Sequence, residues 1–172
     1  FGRQTISFLV VLPITLPGIV TGIALNATFT SALGVTLGLA TVIVGHATFC
    51  IVIVFNNIQA RLRRLGTSLQ DASADLGASS WQTFAYVTFP MMRGALLAGA
   101  ILAFALSFDE IVVTTFTAGP TVQTLPIWIF GNLFRPNQAP VINVVAAVLT
   151  LIAVVPVWLA QRVGGDPATT RV

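Results

Sequence analysis

The sequence carries little charge and no lysine. Only 8% of its 172 residues are charged, and its eight basic residues are all arginines. Soluble domains carry about 25% charged residues, whereas this chain is 56% hydrophobic. Long apolar runs with few charges are typical of membrane-spanning helices, so the composition predicts an integral membrane protein.

The missing residue types exclude several kinds of chemistry. A phosphate-binding P-loop needs a lysine, so this chain cannot hold and hydrolyse ATP by that route. Cys50 is the only cysteine, which excludes an internal disulfide, and His46 is the only histidine, which excludes a histidine cluster. We therefore expect no metal and no cofactor. The net charge of +3 does not indicate nucleic acid, because the arginines flank apolar runs without interleaved aromatics.

Four apolar runs, at about 6–29, 36–58, 91–116 and 141–161, are long enough to span a membrane. At about 1.5 Å per residue, about 20 helical residues cross a hydrocarbon core of about 30 Å. We expect an all-α fold, a polytopic transmembrane helical bundle forming a single domain over 1–172. Pro13, Pro17, Gly18 and Gly22 interrupt the first run and predict a kinked helix, either as a packing kink or as the lining of a path.

The second run contains the two residues that might suggest a metal site. His46 and Cys50 lie one helical turn apart and form a possible ligand pair. No other histidine or cysteine is available to complete such a site. A hydrogen-bonded core histidine is therefore the favoured interpretation. A polar turn at 30–34 precedes this run.

The third run combines a small-residue stripe with two carboxylates. The stripe repeats every four residues and lets another helix approach closely; its members are Ala95, Gly99 and Ala103. Asp109 and Glu110 follow near the outer end, and neighbours differ by about 100° around a helix, so they point in different directions. Glu110 continues the stripe, which predicts a role in packing. Asp109 either faces a solute path or pairs with Arg135.

Two short helices are predicted between the second and third runs. Thr67 with Gln70, and Ser79 with Gln82, can each form a capping box that starts a helix. Gly77 is placed to end the first helix with a left-handed residue, and Pro90 closes the second helix or opens the next. Each helix has an apolar face. These faces are buried either against the chain's own bundle or against a partner.

The arginines predict the orientation in the membrane. Seven fall on one side of the predicted spans: Arg3, Arg61, Arg63, Arg64, Arg93, Arg162 and Arg171. Only Arg135 falls on the other. By the positive-inside rule the 61–90 loop and the C-terminus are cytoplasmic. Arg61 to Arg64 also suit contacts with anionic membrane lipid.

The external segment 118–140 is too long for a simple turn. Within it, 125–134 predicts an interfacial helix, because Trp128, Phe130 and Phe134 suit the headgroup level. The polar tail 164–172 is predicted to be disordered.

The loop pattern resembles the EAA loop of ABC-importer permeases. The order is Asp71-Ala72-Ser73, three residues, Gly77, nine residues, then Val87-Thr88-Phe89-Pro90. It departs from the family at Asp71 where glutamate is usual, at Ser73 for alanine and at Phe89 for leucine. The likeness covers about 12–162 and is closest to the spermidine/putrescine-type permeases. Four segments carry that closer likeness: His46-Ala47-Thr48-Phe49-Cys50, Asp75-Leu76-Gly77-Ala78-Ser79, Ser107-Phe108-Asp109-Glu110 and Ala118-Gly119-Pro120.

The resemblance implies a type I ABC importer permease with four of its usual six spans, as the C-terminal part of such a protein. The 61–90 loop would dock on a cytoplasmic ATP-binding subunit. The docking residues implied are Asp71, Ala72, Asp75, Gly77, Ala78, Trp81, Phe84 and Pro90. Phe108, Asp109 and Glu110 would lie on the substrate path.

The resemblance also implies a setting and partners. The chain would be a multi-pass protein of the bacterial inner membrane, working with a second permease subunit, identical or related, and an external solute-binding protein. It would itself be no enzyme. The expected solute is a small cation such as spermidine or putrescine; ferric iron and phosphonates are the alternatives within the family. An intramembrane enzyme using Asp109, or a passive anchor or channel, are the alternatives outside it.

Overall fold

The computed structural model describes residues 16–164, which are helical and contain no strand. The start of the first predicted span, with Pro13, and the predicted disordered tail from 165 onward lie outside the described residues, as do Arg3 and Arg171. The side chain of Arg162 is also outside them. Within 16–164 the predicted all-α class is confirmed.

Eight α-helices follow one another along the described chain. They are α1 Gly18–Ala27, α2 Leu39–Leu65, α3 Ser68–Asp75, α4 Ser80–Thr83, α5 Phe89–Asp109, α6 Val112–Thr117, α7 Leu125–Asn132 and α8 Ala139–Gly164. Single π-helical turns extend α1 over Thr28–Ala32 and join α4 to α5 over Phe84–Thr88, and a 3₁₀ turn at Pro136–Gln138 precedes α8.

The chain divides into two compact units. The first unit contains the described residues 16–52 and 103–154, and the second contains 53–102 and 155–164. In the first unit α1 packs chiefly against α6. In the second unit α3 packs against α4 and the π-helical turn that follows it.

Two helical segments are long and apolar enough to cross a membrane. They are Leu39–Leu65 and the continuous run Ser80–Asp109. Two shorter apolar helices, Gly18–Ala32 and Pro136–Ile152, correspond to the first and fourth predicted spans. Four spans therefore stay a prediction, with two of them clear in the described residues.

In the described part of the first predicted span the helix begins directly after Pro17. Pro17 precedes α1 with extended backbone, and the helix starts at Gly18. Gly22 lies against Phe116, where a Cβ would come within 2.6 Å of the ring. The Asn26 side-chain amide donates to the Phe116 carbonyl at 2.7 Å. The absence of a side chain at Gly22 therefore lets α1 pack closely against Phe116.

Three predicted boundaries are wrong. The polar turn at 30–34 is helical as far as Ala32. The helix that contains the second predicted span starts at Leu39 and continues to Leu65, so Arg61, Arg63 and Arg64 belong to α2 and not to a loop. Arginine is a good helix former, and its positive charge is favourable in a last helical turn. Gly66, with φ +65°, ends the helix.

The third correction concerns the run 91–116, which is not one helix. The helical run starts earlier, at Ser80, and α5 ends at Asp109. Glu110 and Ile111 separate it from α6. Periodicity could not reveal this break, because apolar residues continue on both sides of it.

Candidate functional site

The segment 66–90 forms two short helices joined at Gly77. Gly77 has φ +82°, which confirms the predicted left-handed residue. The Ser79–Gln82 capping box is confirmed, since the Gln82 amide donates to Ser79 Oγ and the Ser79 amide donates to Gln82 Oε1. The Thr67–Gln70 box is wrong: α3 starts where expected, but the Thr67 side chain accepts no capping bond.

Side-chain hydrogen bonds join these two helices. The hydroxyls of Ser73 and Thr83 lie 3.0 Å apart. The Gln70 side-chain amide donates to Thr88 Oγ1 at 3.3 Å. Gln70 thus bonds across the pair, and Thr67 has helical backbone dihedrals (φ −104°, ψ −10°) in place of the β-region dihedrals typical of a capping residue.

Apolar side chains of this segment remain exposed. Leu76 is 88% exposed, Trp81 74% and Tyr86 79%. The rings of Trp81 and Phe84 lie 5.7 Å apart, and those of Phe84 and Phe89 lie 6.1 Å apart. We call these three rings the aromatic patch. The described chain does not fold back over it, so the expectation that the apolar faces are buried against the chain's own bundle is not met.

The predicted docking residues lie on the surface. Of the eight, one is half-buried, Ala78, and the others are exposed: Asp71, Ala72, Asp75, Gly77, Trp81, Phe84 and Pro90. Pro90 is the second residue of α5 and lies within the continuous helical run Ser80–Asp109, so it neither closes a helix nor starts a separate one. The π-helical turn before it provides the looser backbone that a proline without an N–H donor requires.

The predicted path residues lie at the break between α5 and α6. Asp109 is the last residue of α5 and is exposed. Glu110 is half-buried, and its Oε1 accepts a 2.8 Å bond from the Val113 amide. Its predicted place on the small-residue stripe is wrong, because α5 has ended before it; its carboxylate instead caps α6.

Arg135 does not neutralise either carboxylate. Within residues 16–164, no ion pair of 4.0 Å or less joins Arg135 to Asp109 or Glu110. The ion pair between Asp109 and Arg135, predicted as the alternative role of Asp109, is therefore not formed in the described residues.

His46 is a hydrogen-bonded core residue, as predicted. Its Nδ1 lies 2.8 Å from Ser107 Oγ on α5, and its Nε2 lies 2.7 Å from Thr114 Oγ1 on α6. Cys50 donates to the Ala103 carbonyl at 3.4 Å. Both ring nitrogens are occupied by hydroxyls, and no three potential ligands in the described residues lie close enough to share a metal ion.

Buried threonines fix α6 against α2. Thr41 Oγ1 donates to the Thr117 carbonyl at 2.7 Å, and Thr114 and Thr117 are both 0% exposed. A Cβ on Gly45 would lie 3.3 Å from Val113. These threonines were not among the residues predicted from the sequence. Their clustering within an apolar run was the one sequence feature that could have indicated their role in packing.

A cavity of about 500 Å³ opens beside His46 in the first unit. Its polar lining residues are His46, Ser107 and Thr124, and Thr124 Oγ1 is buried without a partner in the described chain. The other walls are apolar and include Phe104 and Phe108, whose rings stack at 5.8 Å. Of the predicted path residues, Phe108 lines this cavity, whereas Asp109 and Glu110 are absent from its described lining.

Comparison with known families identifies the chain's relatives. Residues 1–163 match the family model described as "Binding-protein-dependent transport system inner membrane component". The chain is 35% identical over 153 residues to the putrescine transport system permease protein PotI of Escherichia coli K12, covering 86% of the chain and 54% of PotI. It is 30% identical over 165 residues to the spermidine/putrescine transport system permease protein PotC of the same strain, covering 96% of the chain and 62% of PotC. The chain thus spans little more than half the length of these curated relatives.

A solved structure has the same fold. The structure of the inward-facing MetNI methionine ABC transporter matches with a TM-score of 0.76 at 20% identity, covering 98% of this chain and 76% of that one. This likeness shows the architecture of an ABC transporter permease for the chain, and the low identity limits it to the fold.

Proposed function

The chain belongs to the family of binding-protein-dependent transport system inner membrane components, and from that membership we propose that it is the transmembrane permease subunit of an ATP-driven ABC importer. Family members are transport permeases, not catalytic enzymes. Because the chain has no lysine for a P-loop, ATP hydrolysis belongs to a separate subunit.

The aromatic patch is the observation that carries this proposal. Trp81, Phe84 and Phe89 form a connected apolar surface beside a helix pair held by its own hydrogen bonds. Exposed apolar surface of this kind marks an interaction site. Aromatic anchors on a preorganised support are typical of binding hot spots. The occupant we propose is the cytoplasmic ATP-binding subunit.

The solute we propose is a small organic cation such as putrescine or spermidine. Similarity to PotI and PotC supports this class. Asp109 offers an exposed, unpaired carboxylate within the described chain, and an ammonium group would neutralise it. The stacked rings of Phe104 and Phe108 offer π-faces to a cation, and the apolar cavity walls suit a methylene chain.

Transport would proceed by alternating access. ATP closes a pair of hydrolytic subunits, the 66–90 segment transmits that movement, and the spans reopen outward to receive solute from an external binding protein. A second permease subunit completes the pathway. The protein sits in the bacterial inner membrane with the 66–90 segment and C-terminus cytoplasmic, which the arginines at the end of α2 support.

Co-purification tests the docking surface. The full-length protein, produced together with the proposed ATP-binding subunit, should retain that subunit in detergent, whereas Trp81→Ser should lose most of it. Phe130→Ser is the matched control, because Phe130 is also an exposed aromatic, at 56%, but lies on α7. Equal retention by Trp81→Ser and Phe130→Ser would remove the aromatic patch from docking.

Solute-stimulated ATPase activity tests the solute class. The assembled complex in proteoliposomes, supplied with its binding protein, should respond to putrescine or spermidine. A ferric salt and 2-aminoethylphosphonate serve as the competing classes. Stimulation by either of these and not by a polyamine would replace the proposed solute while leaving the permease role intact.

A further inference from the structure

One side chain hydrogen-bonds to both sides of the break between α5 and α6. His46 of α2 contacts Ser107, three residues before Glu110, and Thr114, four residues after it. No other side chain of α2 is hydrogen-bonded to both of these helices. Cys50 reaches α5 alone, through Ala103, and Thr41 reaches α6 alone, through Thr117.

The direction of each bond follows from the hydroxyl of Thr114. Thr114 Oγ1 lies 2.7 Å from the Glu110 carbonyl, which can only accept, so the threonine hydroxyl donates there. Because the Thr114 hydroxyl has only one proton and donates it to that carbonyl, Thr114 Oγ1 must accept the hydrogen bond from His46 Nε2. In the neutral imidazole Nδ1 then has no proton and accepts the hydroxyl proton of Ser107.

The result is a directional chain from Ser107 through His46 and Thr114 to the carbonyl of Glu110. It starts on α5 and ends on the backbone of the break itself. Thr114 is fully buried, whereas Ser107, His46 and Glu110 are half-buried, so water competes least for the bonds of Thr114. The Glu110 carboxylate separately holds the first turn of α6 through the Val113 amide.

We propose that His46 is a positioning residue that fixes the break between α5 and α6 and thereby sets the place of the Asp109 carboxylate. Without this link, no α2 side chain would hydrogen-bond to both α5 and α6 and so restrain rotation at Glu110 and Ile111. The consequence for uptake rests on the proposed function, in which Asp109 meets the solute. The consequence for the geometry of the break is independent of the proposed function.

Two conservative substitutions separate the two bonds. The side-chain oxygen of asparagine can replace Nδ1, so His46→Asn keeps the Ser107 bond and loses the Thr114 bond. The amide of glutamine can replace Nε2, so His46→Gln keeps the Thr114 bond and loses the Ser107 bond. Cys50→Ala, which removes a contact to α5 alone, is the control and also clears the chain of native thiols.

The test uses spin labels on either side of the break in the assembled full-length transporter. Ala105→Cys and Thr115→Cys, both at exposed positions, carry the labels on a Cys50→Ala background. We expect one narrow distance distribution in this background and broader distributions in His46→Asn and His46→Gln. When His46 is unchanged, Thr114→Val should broaden the distance distribution, because it removes the bond to Nε2. In a protein that already carries His46→Asn, Thr114→Val should cause no further broadening. Thr114→Ser keeps the hydroxyl and should therefore give the narrow distribution.

Uptake provides the second readout. Loss of one such hydrogen bond should raise the apparent KM for the transported cation about fivefold, with little change in Vmax. Unchanged distance distributions in both His46 variants would overturn the proposal, as would broadened distributions with an unchanged KM. If the complex transports no cation at all, the proposed solute fails, and the spin-label distances still decide whether His46 holds the break.

Discussion

Gly99 of α5 packs directly against the backbone of Val54 on α2. A Cβ on Gly99 would lie 3.0 Å from the Val54 Cα and 3.4 Å from the Asn57 Cβ. At Gly99 this close approach agrees with the prediction from the small-residue stripe, that small residues let two helices meet with little space between them.

Gly99→Leu should therefore destabilise the protein. The larger side chain cannot be accommodated without moving the backbone of α2, and such overpacking costs about 1–3 kcal/mol. Gly94→Leu is the matched control on the same helix, because nothing lies within 4 Å of a Cβ there. Thermal unfolding in detergent, followed by size-exclusion chromatography, should show a lower midpoint for Gly99→Leu only. Equal midpoints for the two variants would contradict the packing argument.

Gly77→Val should abolish ATP-driven uptake while leaving the protein inserted in the membrane. Gly77 has φ +82°, a conformation that costs an ordinary L-residue about 1–2 kcal/mol. The valine strains the turn between α3 and α4 and misplaces the aromatic patch. No atom lies within 4 Å of a Cβ at this site, so the effect is one of backbone conformation and not of crowding.

The control for this turn is Gly77→Asn, since asparagine tolerates the left-handed region better than β-branched residues do. It should retain substantial uptake. Normal uptake by Gly77→Val would show that the conformation of this turn is not needed to couple ATP hydrolysis to transport.

Thiol labelling should place the two ends of the spans on opposite sides of the membrane. Single cysteines at Thr67 and Ser79 should react from the cytoplasmic side, and those at Thr121 and Asn137 from outside. All four positions are exposed, so their reactivity reports accessibility across the membrane and not burial in the chain. A Cys50→Ala background removes the native thiol. External labelling at position 79 would reverse the proposed orientation.

Asp109→Asn should weaken the apparent affinity for a transported cation more than it lowers Vmax. The amide keeps the size of the side chain and accepts a hydrogen bond, but it loses the charge. An unpaired ion in a membrane costs about 2.5 kcal/mol or more, so its neutralisation by a bound ammonium group contributes to affinity. Uptake kinetics at a range of cation concentrations separate the two parameters. Unchanged kinetics with poor folding would return Asp109 to a structural role.

Glu110→Ala, in contrast, should lower stability first. The Glu110 carboxylate caps α6 through Val113, and loss of such a cap costs about 1 kcal/mol. Glu110→Gln keeps an accepting oxygen and should be milder than Glu110→Ala. If both Glu110 variants unfold like the unaltered protein, the cap contributes nothing measurable to stability.

Local chemistry predicted more of this protein than periodicity did. The left-handed Gly77 and the Ser79–Gln82 capping box follow from residues within a few positions of each other, and both are confirmed. The Thr67 cap failed because Thr67 has right-handed helical backbone dihedrals (φ −104°, ψ −10°), whereas an N-cap residue typically lies in the β region. The residue types of a capping box do not by themselves determine that backbone conformation.

The break after Asp109 was missed for a similar reason. Apolar residues continue from α5 into α6, and no proline or glycine marks the interruption. What stabilises the break is a set of bonds to α2, made by the hydroxyls of Ser107 and Thr114 and by the backbone carbonyl of Thr117. His46 was correctly predicted as a bonded core residue, but its partners lie 61 and 68 residues away along the chain.

The aromatic patch has a consequence for how the protein must be produced. Trp81, Phe84 and Phe89 face outward in the isolated chain, and an apolar surface left in water associates with other apolar surfaces. A cell that synthesised this subunit in excess of its partner would accumulate copies prone to aggregation and open to proteolysis. Balanced synthesis of the two subunits would therefore be a condition for the protein to persist.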